Sequence, residues 1–242
     1  MKMISDVSGR FILRPHYESV ELDRECEHLV RDFFMRRCGA IKFPLTTDDL
    51  TALVETEVGD LDMYADLRRY GAGVEGVTLF EPGAKPRVQI ANELSQKNRE
   101  NRLRTTLTHE FGHVHFHTYL FDRALGAMDL FKMEGGSEEQ KPSDKIQVCK
   151  RDNMLNASRV DWMEWQAGHV CGAILMPATA VRDLIKAEFQ DFASNGQPIS
   201  RMIAAAMVEQ IQGAFSVSQE AARVRLMRLN VIQDSLSEQL IF

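Results

Sequence analysis

The sequence predicts an α+β protein, mostly helical, with one small antiparallel sheet. Three observations predict it. Apolar residues recur at helical spacing through most of the 242 residues. Two short segments, 74–80 and 87–91, alternate in the strand manner and are joined by Glu81-Pro82-Gly83-Ala84-Lys85-Pro86, so they read as a hairpin. Four of the seven histidines, His109, His113, His115 and His117, share a nine-residue window inside a helical stretch.

The elements follow in chain order. Residues 18–38 read as a helix, with Val20, Leu29, Val30, Phe33 and Phe34 near helical spacing and Gly39 as its stop. A second helix starts at Thr46 or Thr47, with Asp48 and Asp49 in its first turn and Leu50, Leu53 and Val54 facing inward. After the hairpin, a helix runs from about Arg99 to His117. Leu103, Leu107, Phe111 and Val114 form one stripe of it, and His109 and His113 another, beside Arg102 and Thr106. The chain loosens after Tyr119, and 132–145 has loop composition. A helix from about Val160 to Leu175 stops at Pro177, and further helices fit 178–190, 199–212 and 218–229, the last capped by Ser218.

Bulk numbers exclude several classes. Hydrophobic content of 44% and charged content of 26% are ordinary for a packed globular chain. A net charge of −6 argues against a sequence-independent grip on nucleic acid, so no direct nucleic-acid binding is expected. No apolar run approaches the ~18 residues of a membrane span. Residues 1–13 lack the apolar core of a secretory signal, and Cys26, Cys38, Cys149 and Cys171 form no CxxC pair. Reduced thiols in a cytoplasmic protein are the expectation.

The chemistry concentrates in His109-Glu110-Phe111-Gly112-His113. On a helix, side chains four apart share a face, so two imidazoles can bind one zinc ion at ~2.0–2.1 Å each. Zinc brings the pKa of a coordinated water to about 7, and a glutamate between the histidines is placed to take its proton during attack on a carbonyl. That is the logic of H-E-x-x-H in zinc peptidases. Gly112 costs a helix ~1 kcal/mol relative to alanine, which points to close approach of another backbone. A third protein ligand is needed. The metzincin pattern requires glycine and histidine where this chain has Phe116 and Tyr119, which excludes that class. Glu164 is the best candidate, on a helix with small residues Ala167, Gly168, Cys171 and Gly172 that allow close packing. Asp161 and the acids of 122–144 are the alternatives.

Together, the H-E-x-x-H at 109–113 and the stretch from Glu164 through Ala167 to Leu175, Met176 and Pro177 resemble the ImmA/IrrE family of metallopeptidases. That family pairs H-E-x-x-H with E-x-E-A-N-x-F-A-x-x-L-L-M-P. Phe215, Val217, Ser218, Ala221, Arg225, Leu226 and Leu229 are similar to its C-terminal F-x-V-S-x-x-A-x-x-x-R-L-x-x-L helix. The resemblance covers about 45–230. Gln166, Gly168 and Val170 depart from the pattern, and the spacing from His113 to Glu164 exceeds that expected of the family.

The resemblance implies a zincin-like, gluzincin-type core in which His109, His113 and Glu164 hold Zn²⁺ and Glu110 is the general base. The chain is expected to fall into three regions: an N-terminal helical extension (1–44) that the resemblance does not cover, a metallopeptidase domain (45–190, with 122–158 as an insertion or loop), and a C-terminal helical segment (191–242) packed on the core. The resemblance implies a limited cut in a regulatory protein, a helix-turn-helix repressor controlling a stress response or a mobile element. The alternatives are a non-catalytic, antitoxin-like metal-binding regulator on the same fold and a hydrolase of a non-peptide bond.

Other residues have plainer readings. His115 and His117 suit the last turn of a helix through its dipole. His117 and Tyr119 are also candidate substrate or transition-state contacts, and Tyr64 is a further candidate for the oxyanion. Cys149 reads as a free thiol, with an inhibitory thiolate on zinc as the alternative. Arg223, Arg225 and Arg228 read as a solvated charged face. A peptide substrate would add as a strand to a sheet edge offered by 75–80 or 86–91.

Overall fold

A computed structural model describes residues 1–81, 83–132, 146–150, 161–189 and 199–233. It is a mixed α+β fold, with seven α-helices among the described residues and two small sheets. The chain divides into two compact units, residues 1–21 with 46–171 and residues 22–45 with 172–242.

The first unit opens with a hairpin, β1 (Lys2–Ser5) against β2 (Leu13–His16), where a helical extension was expected. Asp6 fixes its turn by accepting from the Ser8 amide at 3.0 Å and the Phe11 amide at 3.1 Å. Helix α1 (Ser19–Cys38) follows, then α2 (Thr47–Glu55). Thr46 and Asp49 form a reciprocal capping box at the start of α2, and Leu50, Leu53 and Val54 are buried, as their spacing predicts.

The four-stranded sheet has the order β3-β5-β4-β6, from β3 (Asp60–Ala65), β4 (Val74–Leu79), β5 (Arg87–Ala91) and β6 (Ile146–Lys150). The β4–β5 hairpin pairs Gly76 with Ile90 and Thr78 with Val88. The sheet is mixed rather than antiparallel, because β3 pairs in parallel with β5. In sequence, Leu61, Met63 and Ala65 of β3 alternate with Asp60, Asp62 and Tyr64, a strand signal that the sequence reading passes over. β6 pairs antiparallel with β4, with Gly76 opposite Cys149 and Thr78 opposite Gln147.

Helix α3 (Glu100–Lys132) continues well past His117. No proline interrupts it, and Leu120 and Phe121 extend its buried face. Of the expected loop 122–158, residues 122–132 are therefore helical and 146–150 form a strand; 133–145 and 151–158 lie outside the described residues. α4 (Trp162–Leu175) crosses α3 at Gly112, where a Cβ would stand 3.0 Å from Ala167 Cα. Near this crossing Phe80, Leu120, Phe121, Trp162 and Met163 form an apolar cluster, covered by Met3, Phe11 and Tyr119.

The second unit contains most of α1 with α5 (Ala178–Glu188), α6 (Arg201–Phe215) and α7 (Gln219–Arg228). Ser200 and Ser218 cap α6 and α7. Pro177 gives α5 no side-chain cap, and Glu27 supplies one by accepting from the Thr179 amide at 2.5 Å. Arg225 is not on a solvated face. It is buried, 2.7 Å from Asp23 Oδ1 and 2.8 Å from the Met176 carbonyl. No helix among the described residues is long and apolar enough to cross a membrane.

Candidate metal centre

Helix α3 places His109 and His113 one turn apart with both Nε2 atoms converging, 3.2 Å from each other. The close crossing at Gly112 brings Glu164, in the first turn of α4, onto the same point. Its Oε2 is 3.1 Å from His109 Nε2 and its Oε1 3.1 Å from His113 Nε2. Donors held ~2.0–2.2 Å from a tetrahedral metal lie roughly 3.3 Å apart, so this spacing and donor set fit zinc-type coordination. Asp161 sits just before α4 and is exposed.

A further candidate donor, Cys149, lies on β6. Suitable atoms of His109, Cys149 and Glu164 all lie within 4.8 Å of one another, and all three residues are buried. This group could hold a metal ion. Cys149 also lies in hydrogen-bond contact with Glu110.

Glu110 stands beside the cluster. Its Oε2 accepts from Thr78 Oγ at 2.6 Å, and its other oxygen lies over β4 at Gly76, where a Cβ would come within 2.2 Å of it. Only glycine leaves room for the carboxylate there. Burial raises the Glu110 carboxyl to about 7, against the pull of His109 and the Thr78 hydrogen bond. For Glu164, burial pushes upward, but His113 and His109 win and hold its carboxyl well below the usual range. Burial lowers His113 and His117, whereas for His109 the Glu164 partner outweighs burial and raises it.

Two chains of hydrogen bonds support the ligands. Arg10 Nη1 donates to Gln147 Oε1 and Gln147 Nε2 donates to Glu164 Oε1, both at 2.5 Å. On the other side, His113 Nδ1 meets His117 Nδ1 at 3.1 Å, His117 Nε2 meets Gln166 Oε1 at 3.0 Å, and Gln166 Nε2 donates to the Pro15 carbonyl at 3.0 Å.

No protein-family model and no curated protein matches the chain. What the site does must be read from its own residues. His109, Glu110, His113 and Glu164 are brought together. His117 is fully buried with both ring nitrogens engaged within the protein, so it orients His113 and presents nothing to a substrate. Tyr119 packs on the apolar cluster, and Tyr64 is exposed. His115 faces away, 2.8 Å from Glu57.

Sequence reasoning missed Arg10, Gly76, Thr78 and Gln147. Only Gly76, an isolated glycine within a strand pattern, carried a signal, since such a glycine marks close approach of another group. Neither expected substrate edge is open: β4 lies between β5 and β6, and β5 between β3 and β4.

Proposed function

We propose that this chain is a zinc-dependent endopeptidase with a zincin-like core, of the ImmA/IrrE type that its motifs resemble. It makes a limited cut in a regulatory protein, a helix-turn-helix repressor, in the cytoplasm. The observation that carries the reading is Glu110, held by Thr78 beside the convergent His109, His113 and Glu164. A binding module has no use for a carboxylate fixed in that place.

In this reading His109, His113 and Glu164 hold the zinc. When bound, the metal supplies Lewis-acid activation of the water and of the scissile carbonyl. Glu110 takes the proton from the attacking water and returns it to the departing amide nitrogen as the C–N bond breaks. A carboxyl raised to about 7 by burial is matched to both halves of that task. The mildly acidic chain suits a protein substrate that itself binds DNA.

The test is Glu110→Gln in the full chain, co-expressed with the helix-turn-helix protein encoded beside it. The variant is expected to retain about one zinc per chain and to lose cleavage. Cleavage by the variant at the wild-type rate removes Glu110 as the base, and loss of zinc from the variant removes the assignment of Glu110 to a role outside the ligand set. A second reading has one observation in its favour: Cys149 joins His109 and Glu164 in a buried group that could hold a metal ion, and thiolate donors are common in structural zinc sites. A non-catalytic metal-binding regulator would then show metal-dependent repressor binding that Glu110→Gln leaves intact.

A further inference from the structure

The site is sealed: His109, Glu110, His113 and Cys149 have no solvent-exposed surface, and Glu164 has almost none. A scissile peptide bond cannot enter it in this form. Strand β6 accounts for the seal at three points. It lies antiparallel on β4, the strand that carries Gly76 and Thr78 against Glu110, and so fills the edge where an extended peptide would add. Its Gln147 donates to Glu164 Oε1. Its Cys149 thiol lies within reach of Glu110 and within 4.8 Å of donor atoms of both His109 and Glu164.

We propose that β6 is an inhibitory strap and that Cys149 is a fourth metal ligand, so that the protein folds into a latent form. The inference rests on the metallopeptidase reading and adds its regulation. Sulfur is a good zinc donor, and a fourth protein ligand leaves no coordination position for chemistry. Coordination releases the thiol proton, one per site. Activation then requires only that Cys149 be withdrawn, with β6 leaving the β4 edge to a substrate strand. The pairing that holds β6 is five residues long, and Val148 and Gln147 can be replaced at that edge by the main chain of any extended peptide.

The experiment loads the full, reduced chain with one equivalent of Co²⁺ and reads the near-ultraviolet sulfur-to-cobalt charge-transfer band. Wild type is expected to show the band. Cys149→Ser and Cys149→Ala should each bind one Co²⁺ without it, with affinity lowered about tenfold or more. Cys38→Ser, an exposed cysteine elsewhere, should keep it. The variants at 149 should also cleave unstructured casein at least about tenfold faster than wild type when zinc-loaded, because the missing ligand opens the site. Wild type that binds one Co²⁺ without the band, or a band that persists in Cys149→Ala, overturns the proposal and leaves the His109–His113–Glu164 reading standing. Equal casein cleavage by wild type and both variants overturns the strap. Absence of binding, or binding unchanged by His109→Ala, overturns both the proposal and the metallopeptidase reading.

Discussion

His113 Nδ1 lies 3.1 Å from His117 Nδ1, and the hydrogen bond between them can run in one direction only. The order is set at the far end. The Pro15 carbonyl can only accept, so Gln166 turns its amide nitrogen to it and its oxygen to His117 Nε2. His117 therefore carries its proton on Nε2 and offers a lone pair at Nδ1. His113 must donate from Nδ1, which leaves the Nε2 lone pair facing His109 and Glu164. The chain fixes both the tautomer and the ring orientation of one ligand.

Gln166→Leu and His117→Phe should each weaken metal binding about 10–100-fold, the usual effect of losing a partner behind a metal-bound histidine. Chelator competition measures this directly. Affinity unchanged in both variants would mean that the chain orders nothing.

Gly112 and Gly213 both lie inside helices, yet alanine should act with opposite sign at the two. At Gly213 a new Cβ meets nothing within 4 Å, so the gain in helix propensity, up to ~1 kcal/mol, is realised in full. At Gly112 the same gain is opposed by a Cβ placed 3.0 Å from Ala167 Cα and 3.3 Å from Ala167 Cβ and Val170 Cβ. One of those atoms is backbone, so α4 itself must move, and overpacking of this kind costs about 1–3 kcal/mol. Denaturant titration should show Gly213→Ala stabilised and Gly112→Ala destabilised. Because Glu164 rides on α4, Gly112→Ala should also bind metal more weakly, whereas a purely local strain would leave affinity unchanged.

These two glycines show where sequence was informative. A glycine costly to its helix pointed to close packing at 112, and the spacing of His109 and His113 carried two corners of the triangle, because helical geometry converts sequence separation into a shared face, while Glu164, on another helix, followed from the small residues around it and from the resemblance. The β4–β5 hairpin and the caps at Thr46 and Ser218 were legible because each depends on a few neighbouring residues. Arg10 and Gln147 were not, since their positions follow from strand pairing and packing between segments far apart in the chain. For His117 and Tyr119 the sequence offers only a helical wheel, and a wheel cannot say what covers a face. The run of arginines in α7 misled: periodicity does not reveal that a buried Asp23 awaits one of them.

That arginine is expected to matter. Arg225 is buried against Asp23 and the Met176 carbonyl, so Arg225→Ala removes the guanidinium facing a largely buried carboxylate. Breaking one side of such a pair typically costs 3–5 kcal/mol, far more than the 0–1 kcal/mol of a surface pair. Replacing both partners, as in Arg225→Met with Asp23→Leu, should recover most of the loss. A loss of only a few tenths of a kcal/mol on urea unfolding of Arg225→Ala would show that the pair is in contact with water.

Glu110 should leave a pH signature in the metal-free protein. Its carboxyl is raised from 4.5 to about 7, first by burial. Between those values the folded state holds a proton that the unfolded chain has released, so this group makes stability fall as pH rises. Its contribution is neutral below about pH 4.5 and reaches its full penalty above about pH 7, on the order of 3 kcal/mol from the 1.36 kcal/mol that each pKa unit carries. Glu110→Gln keeps an oxygen for the Thr78 hydroxyl and cannot ionise. The histidines and Glu164 titrate in both proteins, so the difference between variant and wild type isolates position 110. The variant's stability advantage should widen from about pH 5 to about pH 7 and level off towards pH 8 in the presence of chelator. Zinc should shrink that gap, because a nearby cation favours the ionised carboxylate. Parallel stability curves for the two proteins across this range would show that Glu110 is ionised throughout, and the raised carboxyl would have to be abandoned.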